Sequence, residues 1–213
     1  VIDGQALGSA VFVGSGLSVG IQNVQVTGGQ ASSGGGILNN GAVLLLENTE
    51  VAGNVALFEG GGLFNDGGAV VVESSTFADN LAGSDSAVGS NTGRTAFRNS
   101  TVSNNASLDA FSSVLTLTTL ANSTVAENSA GDFGYIATVV WSHHAIIADN
   151  LSPNCAYKFW ASYGHNIEDS DSCLWEWTNY PQPPHNGHLL NDDPLLSPLQ
   201  PNGGRGEVEA FRR

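Results

Sequence analysis

The sequence predicts an all-β fold, a right-handed parallel β-helix of about six rungs, each 22 to 26 residues long. Three observations predict it. A seven-residue block recurs along the chain, and a Gly-rich block recurs between its copies. The composition, with 27 glycines and no methionine, favours strands and turns over helices. Hydrophobic residues nowhere follow a 3.6-residue period over ten residues, which a helical solenoid would need.

The seven-residue block ends in asparagine in five of its six copies. The last residues of the six copies are Gly29, Asn54, Asn80, Asn105, Asn128 and Asn150, which lie 25, 26, 25, 23 and 22 residues apart. A buried asparagine at one turn can bond the asparagines above and below it while it satisfies backbone groups of the turn. The five asparagines therefore predict an internal structural ladder.

The Gly-rich block spans residues 34–41, returns 26 residues later at 60–67, and has a degraded copy at 88–93. Between its copies, three short strands are expected in each rung, at 36–38, 42–46 and 49–52 in the second. Alternation places either Val43 and Leu45 or Leu44 and Leu46 inward, and the sequence leaves both open. Each strand pairs with its copy about 4.8 Å along the axis, so inward residues stack into apolar ladders.

Charge limits the classes of partner. The chain carries 20 acidic and 6 basic residues, a net charge of -14, so it repels phosphate backbones and anionic lipid. We expect no nucleic-acid partner. No apolar run reaches the roughly 20 residues that a membrane span needs. Val1 is not an initiator methionine, which indicates a mature or trimmed chain.

Two cysteines, Cys155 and Cys173, lie 18 residues apart. An isolated pair supplies too few ligands for a structural zinc site. One disulfide would place the protein outside the reducing cytosol, and two unpaired buried thiols are the alternative.

The repeats resemble the Gly-Gly-Ala-Ile and Phe-x-x-Asn motifs of polymorphic outer-membrane-protein-type β-helices, since residues 77–80 read Phe-Ala-Asp-Asn. Downstream, Gly-His-Asn-Ile at 164–167, Asp-Pro-Leu-Leu at 193–196 and Gln-Pro-Asn-Gly-Gly at 200–204 are similar to the closing region of bacterial choice-of-anchor Q proteins. This resemblance implies a secreted or surface-anchored β-helix, usually without an assigned activity. It also implies a Cys155–Cys173 disulfide that brackets the segment 164–167.

The chain is therefore expected to divide into regular rungs over residues 1–151 and a closing segment over 152–213. An aromatic, Pro-rich insertion marks the closing segment. Its aromatic residues suit a sugar-stacking or partner-docking platform, or a plug over the last rung. The candidate platform consists of Tyr157, Trp160, Trp175, Trp177 and Tyr180.

Because β-helices also host polysaccharide lyases and hydrolases, catalytic groups need to be considered. A lyase for acidic sugars needs a base and cations, and the body of the helix offers only Arg94, Arg98 and Lys158. Arg94 and Arg98, four residues apart, are expected to share one face of a strand. Such an acidic chain is a poor host for polyuronate unless calcium bridges the two.

A glycoside hydrolase needs two carboxylates about 5 to 10 Å apart. Asp79, Glu127 and Asp149 precede the ladder asparagine in three rungs, although a solvated turn, where small polar residues are favoured, is the better explanation of this column. The same edge could bind calcium weakly, as could a second acidic group near the C-terminus. That second group comprises Glu168, Asp169 and Asp171.

The histidines predict no metal site. His143 and His144 are adjacent, so on a strand they would point to opposite faces. His185 and His188 lie in the Pro-rich insertion, where a surface position is the default. We expect no cofactor.

These observations favour an extracellular, non-enzymatic surface or matrix protein with an adhesive or structural role. The unpaired strand edges of a first rung would favour head-to-tail self-association into filaments. The alternative is a carbohydrate-active enzyme, either a polysaccharide lyase or a glycoside hydrolase, or a carbohydrate-binding module.

Overall fold

A computed structural model shows the fold of the chain. It describes residues 1–108, 113–115, 118–130, 135–137, 140–151, 153–154, 160–162, 164–170, 189–190, 193–196, 200–201 and 207–208. All regular structure in these ranges is β-strand. They contain no helix that is long and apolar enough to cross a membrane.

The strands are short, between two and five residues each. Through the first half of the chain they are β1 (Ile2–Asp3), β2 (Val11–Val13), β3 (Ser18–Gln22), β4 (Gln25–Thr27), β5 (Gln30–Ala31), β6 (Ile37–Asn40), β7 (Val43–Glu47), β8 (Glu50–Ala52), β9 (Val55–Ala56), β10 (Leu63–Asp66), β11 (Ala69–Glu73), β12 (Thr76–Ala78), β13 (Leu81–Ala82), β14 (Val88–Ser90), β15 (Arg94–Arg98), β16 (Thr101–Ser103) and β17 (Ala106–Ser107). The remaining strands are β18 (Ser113–Leu115), β19 (Thr118–Ala121), β20 (Thr124–Ala126), β21 (Tyr135–Ala137), β22 (Val140–His143), β23 (Ile146–Ala148), β24 (Trp160–Ser162), β25 (Ile167–Glu168), β26 (Leu189–Leu190), β27 (Gln200–Pro201) and β28 (Glu207–Val208).

Four parallel sheets run along the axis. Sheet A stacks β1, β4, β8, β12, β16, β20, β23, β25 and β26. Sheet B stacks β2, β6, β10, β14, β18 and β21, and sheet C stacks β3, β7, β11, β15, β19, β22 and β24. Sheet D stacks β5, β9, β13 and β17, while β27 and β28 form a separate antiparallel pair. Each strand of the four parallel sheets therefore pairs with its copy one rung away, and the predicted parallel β-helix is confirmed.

The six copies of the seven-residue block become six successive strands of sheet A, from β4 to β23. The stack does not stop at residue 151. In sheet C, β24 pairs in parallel with β22, and in sheet A β25 and β26 continue after β23. Parallel stacking thus reaches Leu190, within the segment that the sequence assigns to the closing region.

Apolar side chains fill the space between the sheets. In β7, Leu44 and Leu46 are buried, with 1% and 0% of their surface exposed, whereas Val43 is 58% exposed. This settles the alternation that the sequence left open. Inward side chains of successive rungs stack into columns, and the column of Leu46 continues through Val72 to Phe97. The rings of Phe77 and Phe97 meet edge to face, with their centroids 5.3 Å apart.

Two turns of each rung require a left-handed residue, and both recur in register. The first turn, between sheets C and A, has φ near +50° in every described rung. Its residues are Asn23, Asn48, Ser74, Asn99, Asn122, His144 and His165. The second turn, at the end of the sheet A strand, has the left-handed residue just before the last residue of each seven-residue block. Its residues are Gly28, Gly53, Asp79, Asn104, Glu127 and Asp149.

The outer face of sheet A is covered near its C-terminal end. Small residues line this face, and Ala126 and Ala148 are fully buried. Leu196 packs against both, together with Ile146, and is itself only 4% exposed. The segment that includes Leu196 therefore folds back over the outside of the solenoid.

Candidate functional site

The asparagine ladder lies at the turn between sheets A and D. Each Nδ2 donates to the Oδ1 of the next rung, from Asn54 to Asn80 (3.0 Å), to Asn105 (2.9 Å), to Asn128 (2.9 Å) and to Asn150 (3.2 Å). The same Oδ1 atoms accept backbone N–H groups one rung earlier. The first four are fully buried. Their hydrogen-bonding capacity is used within the fold, so the ladder is scaffold.

Two further polar ladders escaped the sequence interpretation. Asn39 donates from Nδ2 to Oδ1 of Asn65 at 2.9 Å inside the turn between sheets B and C. The backbone N–H of Thr49 donates to Oγ of Ser75, and the N–H of Ser75 donates to Oγ of Ser100. The Gly-rich repeat aligns Asn39 with Asn65, so the first of these ladders could have been predicted.

The acidic residues proposed as hydrolase carboxylates occupy left-handed turn positions. Asp79, Glu127 and Asp149 have φ between +55° and +57°, the same conformation that Gly53 adopts with φ +66° in its rung. Glycine, asparagine and aspartate tolerate this conformation best. The backbone requirement of the turn is therefore sufficient to explain every residue type of this column except Glu127.

The acidic group near the C-terminus forms hydrogen bonds around Asn154. Asn154 Nδ2 lies 3.3 Å from Oε1 of Glu168 and 3.0 Å from Oδ1 of Asp169. Ser170 Oγ donates to the same Glu168 oxygen at 2.8 Å, and the N–H of Asp149 donates to Asp169 at 2.6 Å. Glu168 occupies the inward column below Ile147 and is 1% exposed. These hydrogen bonds hold the carboxylates of Glu168 and Asp169 in place within the fold.

No group of three or more His, Cys, Asp or Glu side chains among the described residues is arranged to hold a metal ion. Asp171, the third member of the acidic group that was considered for calcium, lies outside the described residues.

Arg94 and Arg98 share the exposed outer face of β15, as their spacing indicates. Glu73 lies beside Arg98 in register, and Glu47 lies beside Glu73. Gln22 Nε2 donates to Glu47 Oε2 at 2.6 Å. The sequence interpretation missed this acidic pair, although both glutamates end equivalent strands. Glu47 and Glu73 thus place two carboxylates in adjacent rungs on the outer face of sheet C.

The histidines differ from the expectation. His143 and His144 do not point to opposite faces, because His144 has φ +51° and leaves the strand alternation. Their Nδ1 atoms lie 3.2 Å apart. The ring of His165 stacks on His144 with centroids 5.1 Å apart and planes 14° from parallel. Three imidazoles therefore meet at one corner of the solenoid.

Several predicted site residues lie outside the described residues: Cys155, Cys173, Tyr157, Lys158, Trp175, Trp177, Tyr180, His185 and His188. Trp160 begins β24, whose backbone alone is described. The predicted disulfide and the aromatic platform therefore stay predictions.

The N-terminal rung is less well buried than the rungs that follow it. Strands β1, β2, β3 and β5 are the outermost strands of sheets A to D. Inward residues of this rung, including Val11, Val19 and Ile21, are only partly buried, although they pack against the core. Leu46, one rung further along in the column of Ile21, is fully buried. These inward side chains are therefore less buried than their counterparts one rung further along, although Val13 of the same rung is only 3% exposed.

Comparison with known proteins identifies no relative. No family model, no curated protein and no solved structure matches the chain. The choice-of-anchor Q resemblance therefore stays an interpretation of the motifs alone, and function has to be argued from the surfaces described above.

Proposed function

We propose that this chain is an extracellular, non-enzymatic surface or matrix protein that associates head to tail. One observation carries the proposal: inward side chains of the N-terminal rung are only partly buried, and β1, β2, β3 and β5 are the outermost strands of their sheets in the structure. A second copy could continue every sheet that reaches this end. Its role would be structural or adhesive, with a surface or carbohydrate partner along the sides.

The burial of apolar side chains that holds the rungs together would also drive this association. Each rung buries its inward side chains only by stacking on a neighbour. Exposed strand edges are ready templates for pairing with another chain. In this fold β3 would gain a partner along five residues, and Ile21 would become buried as Leu46 is.

Such a contact joins two different surfaces, the N-terminal rung of one copy and the C-terminal rungs of the next. Among the described residues, β24 and β26 are the outermost strands of sheets C and A at the C-terminal end. A heterologous contact of this kind extends into a filament unless its rotation closes a ring. The motif resemblance and the expected disulfide support an extracellular setting.

Analytical ultracentrifugation of the chain over a wide concentration range tests this function. We expect the average mass to rise with concentration for the unmodified chain. Ile21→Lys places a charge in the open column and should leave a monomer. Val43→Lys is the matched control, because Val43 points outward from the same sheet, and its mass should rise as in the unmodified chain.

A stable monomer at high concentration, with the N-terminal rung folded, would refute head-to-tail association. Equal masses for the Ile21→Lys and Val43→Lys variants would refute the assigned surface. Circular dichroism on each variant verifies that the sheets are intact.

A second function, carbohydrate hydrolysis, is favoured only by the pair of carboxylates on sheet C. Glu47 and Glu73 lie in register on adjacent rungs, beside Arg98. Backbones one rung apart are about 4.8 Å apart, and retaining glycosidases hold their carboxylates about 5 to 5.5 Å apart. A product-release screen on neutral and acidic polysaccharides decides, with Glu73→Gln as the inactive variant. No release from any substrate removes this candidate.

A further inference from the structure

The exposed left-handed corner between sheets C and A changes its chemistry along the axis. In the N-terminal rungs the corner residues are amides or serine, and Asn48 Nδ2 donates to Asn23 Oδ1 at 2.8 Å. In the next two rungs the same position holds His144 and His165, which stack instead. The turn requires a residue that tolerates positive φ, and asparagine, aspartate and histidine are the non-glycine residues enriched there. Both histidines therefore satisfy the turn, and they add two imidazoles to its surface.

His143 adds a third imidazole to this corner. It ends β22 next to Ser142, which is fully buried, so alternation turns His143 outward. The left-handed turn at His144 then brings the second ring to the same side, and Nδ1 of one lies 3.2 Å from Nδ1 of the other. His144 and His165 are exposed and His143 is half-buried, so solvent reaches the group.

We propose that His143 and His144 form a surface site for a divalent first-row transition metal such as Zn²⁺, with His165 beside it. Zinc binds imidazole nitrogen at about 2.0 to 2.1 Å. Two nitrogens 3.2 Å apart then enclose an angle of about 100° at the metal. This angle lies between those of octahedral and tetrahedral coordination. The spacing of the two nitrogens therefore already suits two ligands of one ion.

Binding requires only small changes in the side chains. In the neutral pair, one Nδ1–H donates to the lone pair of the other Nδ1. Transfer of that proton to Nε2 through solvent frees both Nδ1 lone pairs without changing the charge of the pair. The χ2 angle of histidine is broad, so both rings can tilt towards one ion. Water fills the other positions.

The metal class follows from the donors. Neutral imidazoles suit Zn²⁺, Cu²⁺ and Ni²⁺, whereas Ca²⁺ and Mg²⁺ require oxygen ligands. A site with two protein nitrogens is open, so it would bind metal reversibly. This inference does not depend on the proposed self-association.

Isothermal titration of the full chain with Zn²⁺ tests the site at a pH where imidazole is neutral. We expect one ion per chain, and His144→Asn should weaken binding by about tenfold or more, the loss of at least 1.4 kcal/mol. Asparagine occupies the same corner position at Asn122, so this variant keeps the turn. Nitrogen NMR of the imidazoles gives a second readout, in which Nδ1 of His143 and His144 should shift on addition of Zn²⁺.

The matched control is the double variant His185→Asn with His188→Asn, which should bind as the unmodified chain does. Should His144→Asn impair folding, His143→Gln gives the same test without altering the left-handed position. Unchanged affinity in the variants of His143 or His144 overturns the proposal. So does a chain that binds no Zn²⁺, or binding that disappears only with His185 and His188.

Discussion

Asn105 is the central residue of the asparagine ladder, so its replacement by alanine tests how the ladder contributes to stability. Its Nδ2 donates to the carbonyl of Phe77 (3.0 Å), the carbonyl of Ser103 (3.0 Å) and Oδ1 of Asn128 (2.9 Å). Its Oδ1 accepts from the backbone N–H of Asn80 (3.1 Å) and from Asn80 Nδ2 (2.9 Å). Alanine removes all five contacts of this buried side chain.

The size of the effect follows from which groups lose their partners. The buried N–H of Asn80 loses the acceptor that the ladder provides, which costs about 1 to 3 kcal/mol. Two or three further hydrogen bonds disappear at about 1 kcal/mol each. Asn80 Nδ2 still donates to the carbonyl of Val51, which limits the loss. We therefore expect Asn105→Ala to lower the free energy of unfolding by about 4 kcal/mol.

Urea unfolding followed by circular dichroism measures this loss, and hydrogen exchange shows where it occurs. The Asn80 amide should lose protection more than amides two rungs away, because each rung contacts only its neighbours. Asn104→Gly is the matched control. Asn104 is exposed with φ +56°, so glycine should leave stability nearly unchanged. A loss below 1 kcal/mol for Asn105→Ala, or one equal to that of Asn104→Gly, would refute the reasoning.

Two other regions give further predictions. Leu196→Ala should lower the free energy of unfolding by about 2 to 4 kcal/mol because it empties a buried contact on sheet A. Leu195→Ala, at a neighbouring side chain that is 54% exposed, should change it by about 0.5 kcal/mol or less, and equal losses would contradict the packing. Cys155 and Cys173 should resist thiol labelling until reduction, which should destabilise the fold by about 3 kcal/mol for a loop of this length; labelling of the unreduced, unfolded chain would disprove the disulfide.

The fold could be predicted because the repeat fixes both the period and the residues that must align. Sequence spacing placed the ladder asparagines in register before any contact was known. It did not decide whether Leu44 or Val43 points inward, since both are apolar. Glu47 could have decided it. Glu47 lies on the same face of the strand as Val43, and a charged residue at a strand end favours the outer face.

The candidate sites were harder to predict, because they depend on departures from strand alternation and on contacts distant in sequence. His143 and His144 were expected on opposite faces, and a single left-handed residue brings them together. The burial of Ala126 and Ala148 on the outside of sheet A depends on Leu196, about 50 to 70 residues further along the chain. Small residues within one strand do not indicate that a distant segment will pack over them.

The asparagine ladder also has an electrical direction. Every carboxamide points the same way, with Oδ1 towards the N-terminal rungs and Nδ2 towards the C-terminal rungs. Aligned dipoles polarise one another and leave partial charges at the two ends of the row. The positive end is Nδ2 of Asn154, which follows Asn150 in the row and meets the carboxylates of Glu168 and Asp169. These acids neutralise the row as acidic residues do at the start of an α-helix.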